Sequence, residues 1–254
     1  MRHLVLPSLF VAVTSVAAAC GSTPAPPPAA PGTSKTVDPA TAASVSGHVS
    51  FEGARPAVDA VRMAIDPVCM QNGDNTTSDT VLISPDGSLQ NVFVYIKDDF
   101  AGYTFDAPTE KVVLEQRGCR YAPHVFGVRA GQPIEMTSAD QTLHNVHAMP
   151  MKNQEFNVSA PAAGWRKTQV FTVPEVMVPF RCNVHAWMTA YIGVMAHPYF
   201  AVTGPDGNFS LQGFPPGSYT LTAWHEKFGT RTQQFTVGPK QAQAIPFSFS
   251  ATTK

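Results

Sequence analysis

Phe180-Arg181-Cys182-Asn183-Val184-His185-Ala186-Trp187-Met188 carries a thiol, an imidazole and a thioether within seven residues. On one side lies the apolar run 176–181, and on the other Tyr191-Ile192-Gly193-Val194-Met195. Both runs have the length and β-branched or aromatic content of buried strands, so the three side chains occupy a loop between two strands. Upstream, Leu143-His144-Asn145-Val146-His147 supplies imidazoles at the end of another strand. One thiolate, two imidazoles and a distant thioether make up the ligand set of a trigonal copper site with a weak axial sulfur. Soft sulfur ligands favour Cu(I) and imidazole accepts both oxidation states, so the mixture suits a metal that cycles between them. Zinc would call for four strong ligands in a closed tetrahedron, and the sequence has no Cys-x-x-Cys pair.

From Val45 onward the pattern is β-sheet. Pro 23 and Gly 18, with 10% aromatic residues, favour short strands and tight turns over long helices. A formal charge of −1 and a charged fraction of 14% leave no basic stripe for nucleic acid and no polybasic membrane patch. Strands are expected at 45–51, 92–96, 112–114, 125–128, 134–136, 169–173, 176–181 and 191–195. After His197-Pro198 the texture changes to turn-plus-strand units, Gly204 to Leu211 and Pro215 to Leu221, closed by 235–237 and 245–249. The expected organisation is a module over 45–200 with an N-terminal β extension, and a smaller β-sandwich over 201–254.

Residues 1–19 form an export signal: Arg2, an apolar stretch too short to span a bilayer, and Ala17-Ala18-Ala19 before Cys20. The signal is similar to that of bacterial lipoproteins, which implies lipid on Cys20 and membrane contact only through that lipid. Ordinary cleavage after Ala19, leaving a free thiol, is the alternative. Residues 20–44 form a Pro/Ala tether. Of four cysteines, Cys20 is assigned to lipid and Cys182 to metal, so Cys69 and Cys119 are free to pair or to remain two buried thiols.

The stretch from Tyr121-Ala122-Pro123-His124-Val125-Phe126-Gly127-Val128-Arg129-Ala130-Gly131 to Val194 resembles the cupredoxins. The order of parts is theirs: a Pro-x4-Val-x2-Gly strand and turn, a His-Asn step, then Phe-x-Cys-x2-His-x2-Met and a last strand. The short spacing through the loop is similar to amicyanin. Ala190 departs from the pattern, since many members have Gly there. The resemblance implies a Greek-key sandwich holding one type 1 copper, with His144, Cys182 and His185 in the plane and Met188 axial. It also implies that Asn145 steadies the thiolate and that Trp187 borders an electron port. His147 remains an alternative ligand, although residues three apart on a strand face opposite ways.

Asp206-Gly207-Asn208-Phe209, Pro215-Pro216-Gly217-Ser218-Tyr219 and Ala223-Trp224-His225-Glu226 resemble the transthyretin-like, carboxypeptidase regulatory-like sandwiches, which are classed with carbohydrate-binding-like folds. Ser46-Gly47-His48-Val49-Ser50-Phe51-Glu52-Gly53 looks like the first strand of the same module, which would make the cupredoxin an insertion. The expectation is therefore all-β: a Greek-key cupredoxin sandwich plus a smaller transthyretin-like one. The expected function is one-electron transfer in the cell envelope (periplasm or outer membrane) to a redox protein partner, with no catalytic residues. A Cu(I) chaperone or storage protein and an envelope carbohydrate-binding or adhesion module are the alternatives. No oligomeric state is implied.

Overall fold

A computed structural model describes residues 34–63, 66–71 and 77–251. The export signal, Cys20 and most of the tether lie outside the described residues. Among the described residues no helix is long and apolar enough to cross a membrane.

The chain is nearly all β and forms two sandwiches, one threaded through the other. It starts with β1 (Ala43–Glu52), a short helix α1 (Pro67–Gln71) and β2 (Phe93–Ile96). Nine strands follow without interruption: β3 (Val112–Gln116), β4 (Tyr121–Ala122), β5 (Val125–Arg129), β6 (Pro133–Ser138), β7 (His144–Ala148), β8 (Phe156–Ala160), β9 (Arg166–Val170), β10 (Glu175–Arg181) and β11 (Thr189–Met195). The chain ends with β12 (Phe200–Val202), β13 (Asn208–Phe214), β14 (Gly217–His225), β15 (Gly229–Val237), β16 (Ala242–Ala244) and β17 (Phe247–Ser250).

Strands β3 to β11 make one sandwich. Its sheets run β5-β11-β10-β7-β8 and β4-β3-β6-β9, with parallel pairs β5·β11 and β3·β6 among antiparallel ones. The space between the sheets is filled by Leu114, Ile134, Met136, Phe171, Phe180 and Ile192, all essentially without exposure. Cys182 and Met188 belong to this same core, so the chemistry begins where the sheets' apolar filling ends.

The second sandwich draws strands from both ends of the chain. β1 pairs with β13, β16 and β17, and β2 lies between β12 and β14 in the facing sheet, whose edge is β15. Residues 45–111, which the sequence reading attaches to the 45–200 module, thus contribute β1 and β2 to the sheets of the C-terminal sandwich. The alternation of β1 explains its placement: Val45, Val49 and Phe51 point to a core that contains Leu211, Phe214, Phe235 and Phe249.

The two sandwiches meet face to face across β2, β12, β5 and β11. Phe93 is fully buried here, stacked on Phe200 at 5.7 Å between ring centroids, and Tyr191 packs on Trp224 at 5.1 Å. Two glycines allow the close approach. A Cβ on Gly193 would lie 2.2 Å from the Phe93 ring, and one on Gly127 would lie 2.3 Å from the Phe200 ring. A half-buried His124–Glu226 pair adds a polar tie across the same contact.

Candidate metal centre

The loop between β10 and β11 is closed by its own backbone. The Cys182 N–H donates to the Met188 carbonyl (3.1 Å) and the Met188 N–H to the His185 carbonyl (2.9 Å). The His185 N–H donates to Cys182 Sγ (3.4 Å). This folds 182–188 into a tight hairpin end that brings Cys182 and His185 to the same side. β7 pairs with β10, with Phe180 opposite Ala148, and so brings His144 alongside. The donor atoms of His144, Cys182 and His185 lie within 4.8 Å of one another, and all three residues are buried.

Asn145 joins the ligand strand to the ligand loop. Its Oδ1 accepts the Asn183 N–H (2.6 Å) and its carbonyl accepts the Tyr121 hydroxyl (2.6 Å). Met188 lies at the loop's end with 1% of its surface exposed. His147, the alternative ligand, lies on the opposite face of β7. It is half-buried, with Nε2 against Glu155 (2.8 Å) and Nδ1 against Asn183 (3.3 Å), so it is not part of the group. Trp187 is half-buried; its ring lies 5.0 Å from that of His185 and its Nε1–H donates to the Cys119 carbonyl (3.0 Å).

Cys69 and Cys119 form a disulfide, both half-cystines fully buried. Closing a 50-residue loop is worth about 4 kcal/mol in the chain-entropy account. The bond also brings α1 onto the site. Cys69 Sγ lies 3.7 Å from His185 Nε2, and Asp66 Oδ2 lies 3.2 Å from the same nitrogen. The edge of His185 that would otherwise face outward is therefore covered, and the residue is only 3% exposed. The residues that sequence reasoning missed are Asp66 and Asp140, whose Oδ2 lies 3.0 Å from His144 Nε2. Asp66-Pro67, a capping residue followed by proline, was the available sign of α1. For Asp140 the sequence contains no comparable sign.

The electrostatics follow from these contacts. Although burial works against charge on Asp140, the hydrogen bonds from His144 and from the Cys119 and Gly118 N–H groups hold its carboxyl below the ordinary range. Asp66 is held low chiefly by the Thr142 hydroxyl. Against the downward push of burial, hydrogen bonds to Asp140 and Cys182 raise His144 to about 9. Burial and the neighbouring His144 charge lower His185. Burial pushes the Cys182 thiol up, but His144 and backbone N–H groups of Asn145, His185 and Val184 bring it below its usual value.

The donor set fits a cation. A carboxylate oxygen only accepts, so Nε2 of both histidines carries a hydrogen, and the Nδ1 atoms are left to share a cation, which in the metal-free protein is the second proton held by His144. Those two Nδ1 atoms face each other at 2.9 Å. Two bare lone pairs at that distance repel, and only a positive centre between them, a proton or a metal ion, makes the arrangement favourable.

The profile of the carboxypeptidase regulatory-like domain matches residues 190–250. Among solved structures, the chain is similar over 40% of its length to 98% of a reduced Cu(I) amicyanin variant, at 18% identity and a TM-score of 0.30. It is similar over 35% to the whole of a purple cupredoxin from Nitrosopumilus maritimus, at 19% identity and a TM-score of 0.29. It is also similar over 39% to a Cu-containing nitrite reductase from Thermus scotoductus SA-01, at 19% identity and a TM-score of 0.31, and there it spans only 25% of that chain. No curated protein matches the chain.

Proposed function

We propose that the β3–β11 sandwich binds one copper ion at a type 1 site and serves one-electron transfer. The observation that carries this reading is the pair of opposed Nδ1 atoms, 2.9 Å apart and grouped with the Cys182 sulfur. In this reading His144, Cys182 and His185 would hold the ion, and Met188 would add a weak sulfur donor. Bound copper supplies the one-electron couple. The protein's own part is to exclude water from buried ligands, to keep Cys182 ready to lose its proton, and to fix the ligands so that little moves when the charge changes. Asn145 holds the ligand loop in place from the neighbouring strand.

With the His185 edge covered by α1, Trp187 is the ring against that histidine that also reaches the surface, and we assign it the electron exit. The host sandwich is the accessory module that carries this insert. The export signal and Cys20 support an envelope-tethered carrier that exchanges electrons with a redox protein there. Trp224, His225 and Glu226 turn to Tyr191, Phe228 and His124.

The test is a titration of the purified chain with Cu(II), followed by visible absorption and EPR. An intense thiolate-to-copper band with narrow hyperfine splitting, saturating at one copper per chain and lost in Cys182→Ser, is expected. A pale tetragonal spectrum, or rapid conversion to bound Cu(I) without a reversible couple, would transfer the assignment to copper handling.

A further inference from the structure

The two histidines of the proposed copper site are held from behind by two carboxylates, and a single disulfide anchors both carboxylates. Asp140 Oδ1 accepts the Gly118 N–H (2.7 Å), and its Oδ2 accepts the Cys119 N–H (2.8 Å) while facing His144 Nε2 at 3.0 Å. Asp66 Oδ1 accepts the N–H groups of Val68 (2.8 Å) and Cys69 (3.4 Å). Its Oδ2 accepts the Thr142 hydroxyl (2.6 Å) and faces His185 Nε2 at 3.2 Å. Each half-cystine of Cys69–Cys119 thus gives its backbone N–H to one carboxylate, and each carboxylate takes one imidazole. Asp66 and Cys69 reach the site from the connection between β1 and β2, whereas His144, His185, Cys119 and Asp140 belong to the β3–β11 sandwich.

We propose that Asp66 and Asp140 are positioning residues that fix both histidines in the Nε2–H form and bias the copper toward its oxidised state. The inference rests on the copper reading above. Two effects follow from the same contacts. Held at Nε2, each ring cannot turn its hydrogen-bearing nitrogen toward Cys182, so Nδ1 is the only nitrogen offered to the metal. Cu(II) carries one more positive charge than Cu(I), and a fixed negative charge behind a ligand therefore stabilises the oxidised ion more and lowers the potential. The effect is larger where water screens less. The Asp140 side chain is 5% exposed and that of Asp66 is 17%, so Asp140 is the stronger of the two.

The test compares the copper-loaded full chain with its Asp140→Asn, Asp66→Asn and Asp140→Ala variants. Asn keeps the size and an acceptor oxygen for the Nε2 hydrogen but removes the charge. In both Asn variants the charge-transfer band is expected to persist. The Cu(II)-to-Cu(I) affinity ratio is expected to fall about tenfold or more, a rise of about 59 mV per factor of ten, with Asp140→Asn giving the larger change. Asp140→Ala removes the acceptor as well, so copper affinity should drop roughly 10- to 100-fold. Recorded above the His144 value of about 9, where the ring carries one hydrogen, long-range nitrogen–proton NMR of this metal-free variant should show His144 losing its single Nε2–H form, and Asn at the same position should restore it. An unchanged potential in both Asn variants, with wild type binding copper normally, overturns this inference and leaves the copper reading standing. Absence of Cys182-dependent copper binding in wild type overturns the copper reading itself.

Discussion

Met188 closes the ligand loop in two separable ways. Its backbone accepts from Cys182 and donates to His185, and its side chain fills the end of the sandwich core with 1% exposure. Leucine has nearly the same volume and keeps both backbone bonds, so Met188→Leu should cost less than about 1.5 kcal/mol in stability. What it removes is the thioether. Loss of a weak sulfur donor in favour of a more apolar pocket should leave the thiolate band in place and raise the reduction potential, measured by voltammetry alongside the absorption spectrum. A colourless Met188→Leu protein would show that the ligand set has been assigned wrongly. His144 and His147 illustrate how far single residues are legible. The alternation of side chains along a strand places them on opposite faces, and the structure buries His144 completely while His147 pairs with Glu155.

Elements were legible where burial has a period and obscure where long-range contacts decide. β1, β2, β5, β10 and β11 follow their apolar patterns closely. The strand expected at 169–173 ends earlier, since β9 covers Arg166–Val170, because its partner β6 sets the register. β8 was missed although Phe156, Val158 and Ala160 alternate, since it is a five-residue edge strand whose inward Phe156 and Val158 are only half-buried. Asp66 and Asp140 gain their roles only when β7 and the 182–188 loop come together across the fold. No local pattern marks Asp140, and Asp66-Pro67 marks only the start of α1. The packing of the two sandwiches gives an element-scale prediction. Gly193 lies on β11 beneath the Phe93 ring, with 2.2 Å available where a Cβ would need ordinary contact distance. Because Phe93 is itself fully buried, it has nowhere to retreat. Gly193→Ala should therefore destabilise the chain by about 1–3 kcal/mol, read as a lower urea midpoint at unchanged slope. The neighbouring Ile192→Val on the other face of the strand, a one-methyl loss, provides the comparison at about 0.5–1.5 kcal/mol.

At the scale of the whole molecule, the host sandwich determines how the chain responds to acid. Two of its histidines are buried among aromatic rings: His197 between Phe100 and Tyr199, and His225 stacked on Phe228 at 4.6 Å. Each Nδ1 accepts a backbone N–H, from Tyr199 (3.2 Å) and Lys227 (3.1 Å) respectively. That leaves the ring hydrogen on Nε2, which in His225 has no partner among the described residues. Burial pushes both rings down to about 4, helped at His225 by the His124 and Lys227 charges and at His197 by Arg129. In the unfolded chain both titrate near the ordinary 6.5. Between those values the unfolded state binds more protons than the folded one, so stability rises with pH across the window. It is fully present above about 6.5 and is lost as pH falls toward 4, by roughly 2–3 kcal/mol for each ring. The carboxylates held low, Asp66 and Asp140 among them, act at lower pH and leave this window to the histidines. Urea midpoints of the metal-free chain at half-unit steps from pH 4 to 6.5 should therefore rise steadily with pH, and above 6.5, where His144 gives up its second proton toward 9, these two rings add no further slope. A flat profile across 6.5 to 4 would mean that neither ring is held neutral in the folded sandwich.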